Sequence, residues 1–109
     1  MTRFEVIILP AAERDIGKIY AGISEFDADT AARWYNRLME VIFSLDIFPE
    51  HCPLAPENKF LKTEIREIFH GRRQHKYRIL FTVSENEVHV LHVRHGARLA
   101  LGETESAEE

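Results

Sequence analysis

The stretch "KYRILFTVSENEVHVLHVRH", residues 76–95, constrains this chain more than any other. Tyr77, Ile79, Phe81 and Val83 alternate with Lys76, Arg78, Leu80 and Thr82. A period of two belongs to a strand with two unlike faces. The polar "SENE" at 84–87 follows, and "EVHVLHVRH" resumes a strand pattern, so the segment reads as a β-hairpin with a short turn. Its apolar face must be covered, and the remainder of the 109 residues has to supply the cover.

Two earlier segments can do so. Ala12, Ile16, Ile19, Tyr20 and Ile23 recur at helical spacing, which predicts a helix of about 15 residues. Pro10 suits its start, and Glu13 and Asp15 suit the positive end of its dipole. Asp27 or Asp29 can cap a second helix whose apolar face runs Ala31, Trp34, Tyr35, Leu38, Val41, Ile42 and Leu45. Arg33, Arg37 and Glu40 fall on its other side, and Pro49 is expected to end it. Trp34 and Tyr35 are in register with the leucines and read as core.

"RFEVIIL" at 3–9 reads as a first strand and "EIREIFHG" at 64–71 as another. Between them, "PEHCPLAPENKF" holds three of the four prolines and reads as the one long loop. The order is β-α-α-β-β-β. It predicts an α+β fold, a small, mainly antiparallel sheet with a two-helix hairpin packed on one face. Residues 1–102 form a single domain in this reading, and 103–109, "ETESAEE", form an acidic solvated tail.

The charge is unevenly placed. The formal net charge is −4, and the tail alone carries four Glu and no base, so residues 1–102 are neutral overall. Yet Arg66, Arg72, Arg73, Lys76 and Arg78 gather against one acid, Glu67, with His70 and His75 among them. Alternation puts Arg78, and with it Arg66, on the expected helix-free face. The basic charge is therefore expected to project from that face and from the turn after Gly71. Such a face can hold a polyanion or an acidic partner, or remain solvated with its own ion pairs.

Several chemistries find no support. There is no apolar run of membrane-spanning length, and the short N-terminal apolar run is followed at once by acids, unlike a secretory signal. A single cysteine, Cys52, suits a reducing cytoplasm and lacks an evident activating neighbour beyond His51. His89, His92 and His95 are three apart on a strand, and that spacing sends neighbours to opposite faces, so no metal site is expected. No phosphate-binding glycine loop or nucleophile elbow occurs, and no cofactor is implied.

The pattern as a whole resembles the RelE/ParE superfamily of bacterial toxins from type II toxin–antitoxin modules, often labelled plasmid stabilisation proteins. It is carried by Ala12-x-x-Asp15, "LDIFP" at 45–49, "IREI" at 65–68, "YRILF" at 77–81 and "HVRHGAR" at 92–98. The resemblance covers residues 3–98 and implies a cognate antitoxin that binds the toxin, a hetero-oligomer, and no metal. In that comparison Arg66, Arg72, Arg73, Lys76 and Arg78 would meet the antitoxin or the target.

Two branches differ in activity. RelE-like members cut messenger RNA on the ribosome with basic strand residues. Arg78 and Arg98 match two of their arginines, and His92 or His95 could move protons. Their lysine pair is absent from "EIREIFHG", and no tyrosine follows Tyr77. ParE-like members bind and poison DNA gyrase without cleaving RNA. The chain resembles this second branch more closely, with a RelE-like ribonuclease and an inactive antitoxin-binding protein as the alternatives.

Overall fold

The computed structural model describes residues 3–56, 64–72 and 75–96. Arg73, Arg98, the proposed boundary at 102 and the acidic tail 103–109 lie outside the described residues. Within them the chain forms β1 (Glu5–Ile8), α1 (Pro10–Ser24), α2 (Ala28–Phe43), short 3-10 turns at Ser44–Asp46 and Pro49–His51, then β2 (Arg66–His70), β3 (Tyr77–Ser84) and β4 (Glu87–His95). The α+β class and the β-α-α-β-β-β order are as the sequence implies.

Local chemistry explains the helix ends. Pro10 opens α1, where its missing N–H has no intrahelical partner to lose. Asp27 caps α2: its side chain accepts from the Asp29 N–H and, at 2.6 Å, from the Thr30 hydroxyl. Those bonds, with Arg33 nearby, hold the Asp27 carboxyl below its usual range. Pro49 does not end α2. The helix stops at Phe43 and tightens into a 3-10 turn that buries Leu45, and Pro49 instead opens the second short turn after a left-handed Phe48.

The sheet order is β1-β4-β3-β2. β1 runs parallel to β4, and the other neighbours are antiparallel. Tyr77, Ile79, Phe81 and Val83 face the helices, as the alternation implies. They pack with Ala12, Ile16, Leu38, Ile42, Leu45, Val88, Val90 and Val93 into one core. Phe81, Leu38 and Ile42 are fully buried. A buried side chain of this size contributes ~2 to 3 kcal/mol of apolar transfer. The turn is tight: Ser84 pairs with Glu87, and Glu85 takes a positive φ of 55°.

Two further expectations fail, both in the sheet. Pairing shifts between Leu80, opposite His92, and Phe81, opposite Val90, so Leu91 is an extra residue, a β-bulge. The bulge lets Val88, Val90 and Val93 all enter the core despite their uneven spacing. It also puts His89, opposite Thr82, and His92, opposite Leu80, on one face, against the parity reading above. Among the described residues, however, no three His, Cys, Asp or Glu side chains converge as metal ligands.

The second failure concerns β2. Arg66 pairs with Phe81 and so lies on the helix side, whereas Glu67 and Phe69 share the opposite face with Leu80 and Arg78. Arg66 does not project from the helix-free face. Its guanidinium donates to the Cys52 carbonyl at 2.7 Å and lies 3.5 Å from Glu64. The loop at 52–55 is thereby held along the outer edge of β2, with Ala55 N–H donating to Ile65 O and Glu67 N–H to Pro53 O. This covers a strand edge that would otherwise be open. The helix-free face also carries a small apolar cluster of Ala55, Ile65, Leu80 and Leu91.

The packing sets a contrast. Leu38→Ala should cost about 2 to 5 kcal/mol in urea unfolding, because Leu38 has no exposed surface. Phe26→Ala, at a side chain 92% exposed, should stay within about 0.5 kcal/mol. Equal costs would contradict this core. Glu85→Gly should raise stability by up to about 1 kcal/mol, since a side chain resists the positive φ.

Candidate functional site

The basic stretch does not form one cationic surface. Arg78 is only 5% exposed and its Nε donates to Glu67 Oε1 at 3.1 Å, with both side chains nearly buried. The single acid noted in the sequence thus neutralises the central arginine. Arg72 and His75 are exposed at the β2–β3 hairpin. Lys76 lies over the exposed Phe69 ring, 4.7 Å from its centroid. Gly71, at φ 97°, makes the turn that places them, and a Cβ there would collide with the His75 carbonyl.

The ribonuclease candidates divide between faces. Arg78 and His92 share the helix-free face, with Arg94 directly opposite Arg78 in the ladder. His95 is opposite Tyr77 and packs edge-on against its ring on the other face, at 5.2 Å. His92 is held at Nδ1, 3.0 Å from Asp15 Oδ2, and the same oxygen accepts the Val93 N–H at 3.0 Å.

Asp15 matters because β1 is short. β1 pairs with β4 from Glu87 to Val90, and Leu9 N–H donates to Val90 O. Beyond that point, no described strand accompanies β4 on this side. Asp15 reaches down from α1 and satisfies the exposed edge at Val93. The aspartate of Ala12-x-x-Asp15, one turn further into α1 than a dipole role would ask, thereby has a physical role that the sequence did not disclose.

The same mismatch opens a groove of about 1140 Å³ between the helix pair and the end of β3–β4. Such a volume exceeds most small-molecule sites and suits a peptide segment. Ile19, Ile23, Trp34 and Tyr77 give it an apolar wall, and Lys18, His75, Arg94 and His95 give it donors. Trp34 and Tyr77 meet edge to face at 5.5 Å. Trp34 Nε1 and Arg94 Nε are both buried without a hydrogen-bond partner among the described residues. A buried donor without an acceptor is costly.

Sequence reasoning missed Lys18 and Arg94 and assigned Trp34 to the core alone. Arg94 was legible only as part of "HVRHGAR". Tyr35, expected in the core, is exposed and meets the exposed Tyr20 edge-on, with ring centroids 6.1 Å apart, outside the helix hairpin. Cys52 packs against the main core, and burial raises its thiol pKa, with Arg66 opposing in part, so a nucleophilic role gains no support.

The description "ParE toxin of type II toxin-antitoxin system, parDE" matches residues 6–100. No match appears among curated proteins. Among solved structures, the chain is similar to a chain of the chromosomal ParDE toxin–antitoxin system from P. aeruginosa. That likeness has a TM-score of 0.70 and 15% identity, over 85% of this chain and 96% of the other. It is also similar to a chain of the toxin–antitoxin complex RelBE2 from Mycobacterium tuberculosis. There the TM-score is 0.54 and the identity 24%, over 89% of this chain and 95% of the other. At these identities the two structures establish the shared fold.

Two outcomes test this geometry. Glu67→Ala should cost about 3 to 5 kcal/mol in urea unfolding, because it leaves a buried guanidinium without its carboxylate. A loss below about 0.5 kcal/mol would mean that the pair is not formed. His70 supplies the second. Burial, and secondarily Arg37, lower its pKa below the usual histidine value. The unfolded chain therefore takes up the proton first, so stability should fall as pH drops through about 6.5 toward the lowered folded value. His70→Gln should flatten that part of the Tm–pH curve, and an unchanged slope would contradict it.

Proposed function

The chain belongs to the ParE toxin family of type II toxin–antitoxin systems, and from that premise we propose that it acts by binding, as an inhibitor of DNA gyrase that a cognate antitoxin neutralises. The observation that carries this reading is the Glu67–Arg78 pair. A cleavage site needs Arg78 open to a phosphate, and here the guanidinium is spent on a neighbouring carboxylate beneath the surface. β2 offers Arg66 and no lysine pair, and no tyrosine follows Tyr77. His92 is tied to Asp15. Each feature favours a binding inhibitor over a ribonuclease.

The groove supports an antitoxin partner. An amphipathic segment could lay apolar side chains on Ile19, Ile23 and Trp34 and bring carboxylates toward Lys18 and Arg94. Arg72 and Lys76 extend basic charge along the hairpin, and Arg73 follows Arg72 in the sequence. They are the contacts proposed for antitoxin or target, whereas Arg66 and Arg78 act mainly within the fold. The toxin would bind its partner as a hetero-oligomer, with no cofactor required.

One observation favours the second reading. Arg78, Arg94 and His92 share a face, and a phosphate that displaced Glu67 from Arg78 would meet all three. A RelE-like ribonuclease remains the rival on that ground.

The deciding experiment gives purified chain to gyrase and, separately, to ribosomes programmed with message. Loss of supercoiling with intact message is expected. Cut message with unaffected gyrase would overturn the proposal, and Arg78→Ala should then cost about 2 to 4 kcal/mol of transition-state stabilisation. Neither effect, together with tight antitoxin binding, would mean an inactive antitoxin-binding protein. Added antitoxin should restore supercoiling, and a failure to do so would remove the proposed partner.

A further inference from the structure

A second cavity, of about 420 Å³, lies between α1 and α2 on the outer side of the helix hairpin. It shares no lining residue with the groove. Gly17, in the interior of α1, lines it. A Cβ built at Gly17 would meet nothing within 4 Å, so packing within the described residues does not ask for glycine there. Glycine inside a helix costs stability relative to alanine. What the missing side chain leaves is open space on the cavity floor.

The walls have a definite chemistry. Tyr20 and Tyr35 are 37% and 40% exposed, with ring centroids 6.1 Å apart and planes at 86°. Two rings at right angles make a corner in which a cation can rest on one ring face and donate to the neighbouring hydroxyl. Glu13 is the one charged residue in the lining. Among the described residues, neither its carboxylate nor the two tyrosine hydroxyls has a partner. Glu13 and Tyr20 lie two turns apart on α1, about 10 Å along its axis. Ile16 and Met39 make the remaining wall apolar. A first-turn acid also suits the helix dipole, so the aromatic corner and the Gly17 floor carry most of the argument.

We propose that this cavity binds a linear diamine, with one ammonium in the Tyr20–Tyr35 corner, the other at Glu13, and the alkyl stem over Gly17 against Ile16 and Met39. The lining holds two groups that favour a cation, an apolar stretch between them and no base. A ligand with a single cation would leave one of the two unused, and an anion would meet only Glu13. The volume suits a small molecule rather than a peptide segment. The inference goes beyond the gyrase reading and does not depend on it, because it concerns a different face of the chain.

The test is an NMR titration of the full chain with hexamethylenediamine at neutral pH. The Glu13, Gly17 and Tyr20 amides and the Tyr20 and Tyr35 ring signals should shift together and saturate. Hexylamine, with one ammonium, should bind about three- to fivefold more weakly, and hexanediol should give no saturable shift. Glu13→Gln should bring the diamine down to the affinity of hexylamine. Gly17→Leu fills the floor without removing a packing contact, so it should keep the Tm of the parent chain and abolish the saturable shifts. Tyr20→Leu with Tyr35→Leu should abolish them as well.

No saturable shift below about 10 mM diamine would overturn the proposal. Equal affinity for hexylamine and the diamine would overturn it too, as would shifts confined to other acidic residues. If the same signals moved with protein concentration and ignored the diamine, the cavity would be a contact between two copies of the chain, and the proposal would be wrong.

Discussion

The mismatch in length between β1 and β4 governs the functional half of this molecule. A four-residue strand accompanies the first part of a nine-residue one and then turns into a helix at Pro10. The remaining edge of β4 keeps backbone groups that need partners, because an unpaired N–H against an apolar groove is costly. Asp15 meets one of them from α1, which Ala12 and Ile16 seat on the core. With the helix held at one side and the sheet at the other, the groove opens between them. Its apolar wall is the unfinished end of the main core, so the site is continuous with the packing that stabilises the fold.

Charge within the domain obeys a similar economy. Two arginines, Arg78 and Arg94, stand opposite each other in the β3–β4 ladder, which like charges disfavour. Glu67 relieves this by pairing with Arg78, at the cost of removing that guanidinium from solvent. Arg66 serves a different purpose and holds the loop at 52–55 along the sheet edge. An apparently basic stretch thus separates into structural arginines and a few residues free to meet a partner, Arg72 and Lys76 among the described ones. The ParE toxin family supplies the context in which a binding surface of this kind is useful.

Much of the fold was legible because its signals are local. The alternation of Tyr77, Ile79, Phe81 and Val83, the helical spacing of Leu38 and Ile42, and the Asp27 cap all depend on residues within a turn or two of each other. The site was legible only in part. Arg72 and Lys76 sit at the hairpin where the sequence put them. Arg78 was expected on the helix-free face and is there, but its burial beneath Glu67 depends on a strand pairing that local pattern does not reveal. Tyr35 lies in register with buried Leu38 and Ile42, yet it stays exposed beside Tyr20 of α1, a position that spacing along one helix does not reveal.

The sequence by itself determined the element order, the two amphipathic helices, the tight turn after β3 and the gathering of positive charge around Gly71. These follow from side-chain periodicity and backbone preference, which act over a few residues. Only the tertiary structure decided the parallel docking of β1, the extra residue Leu91 that brings His89 and His92 to one face, the side on which Arg66 lies, and the groove shared by Lys18, Trp34 and Arg94. Each of these depends on which strand lies beside which, and in what register. That choice is made by the fit of the whole core, where a shift of one residue would turn Val88 and Val90 out of it.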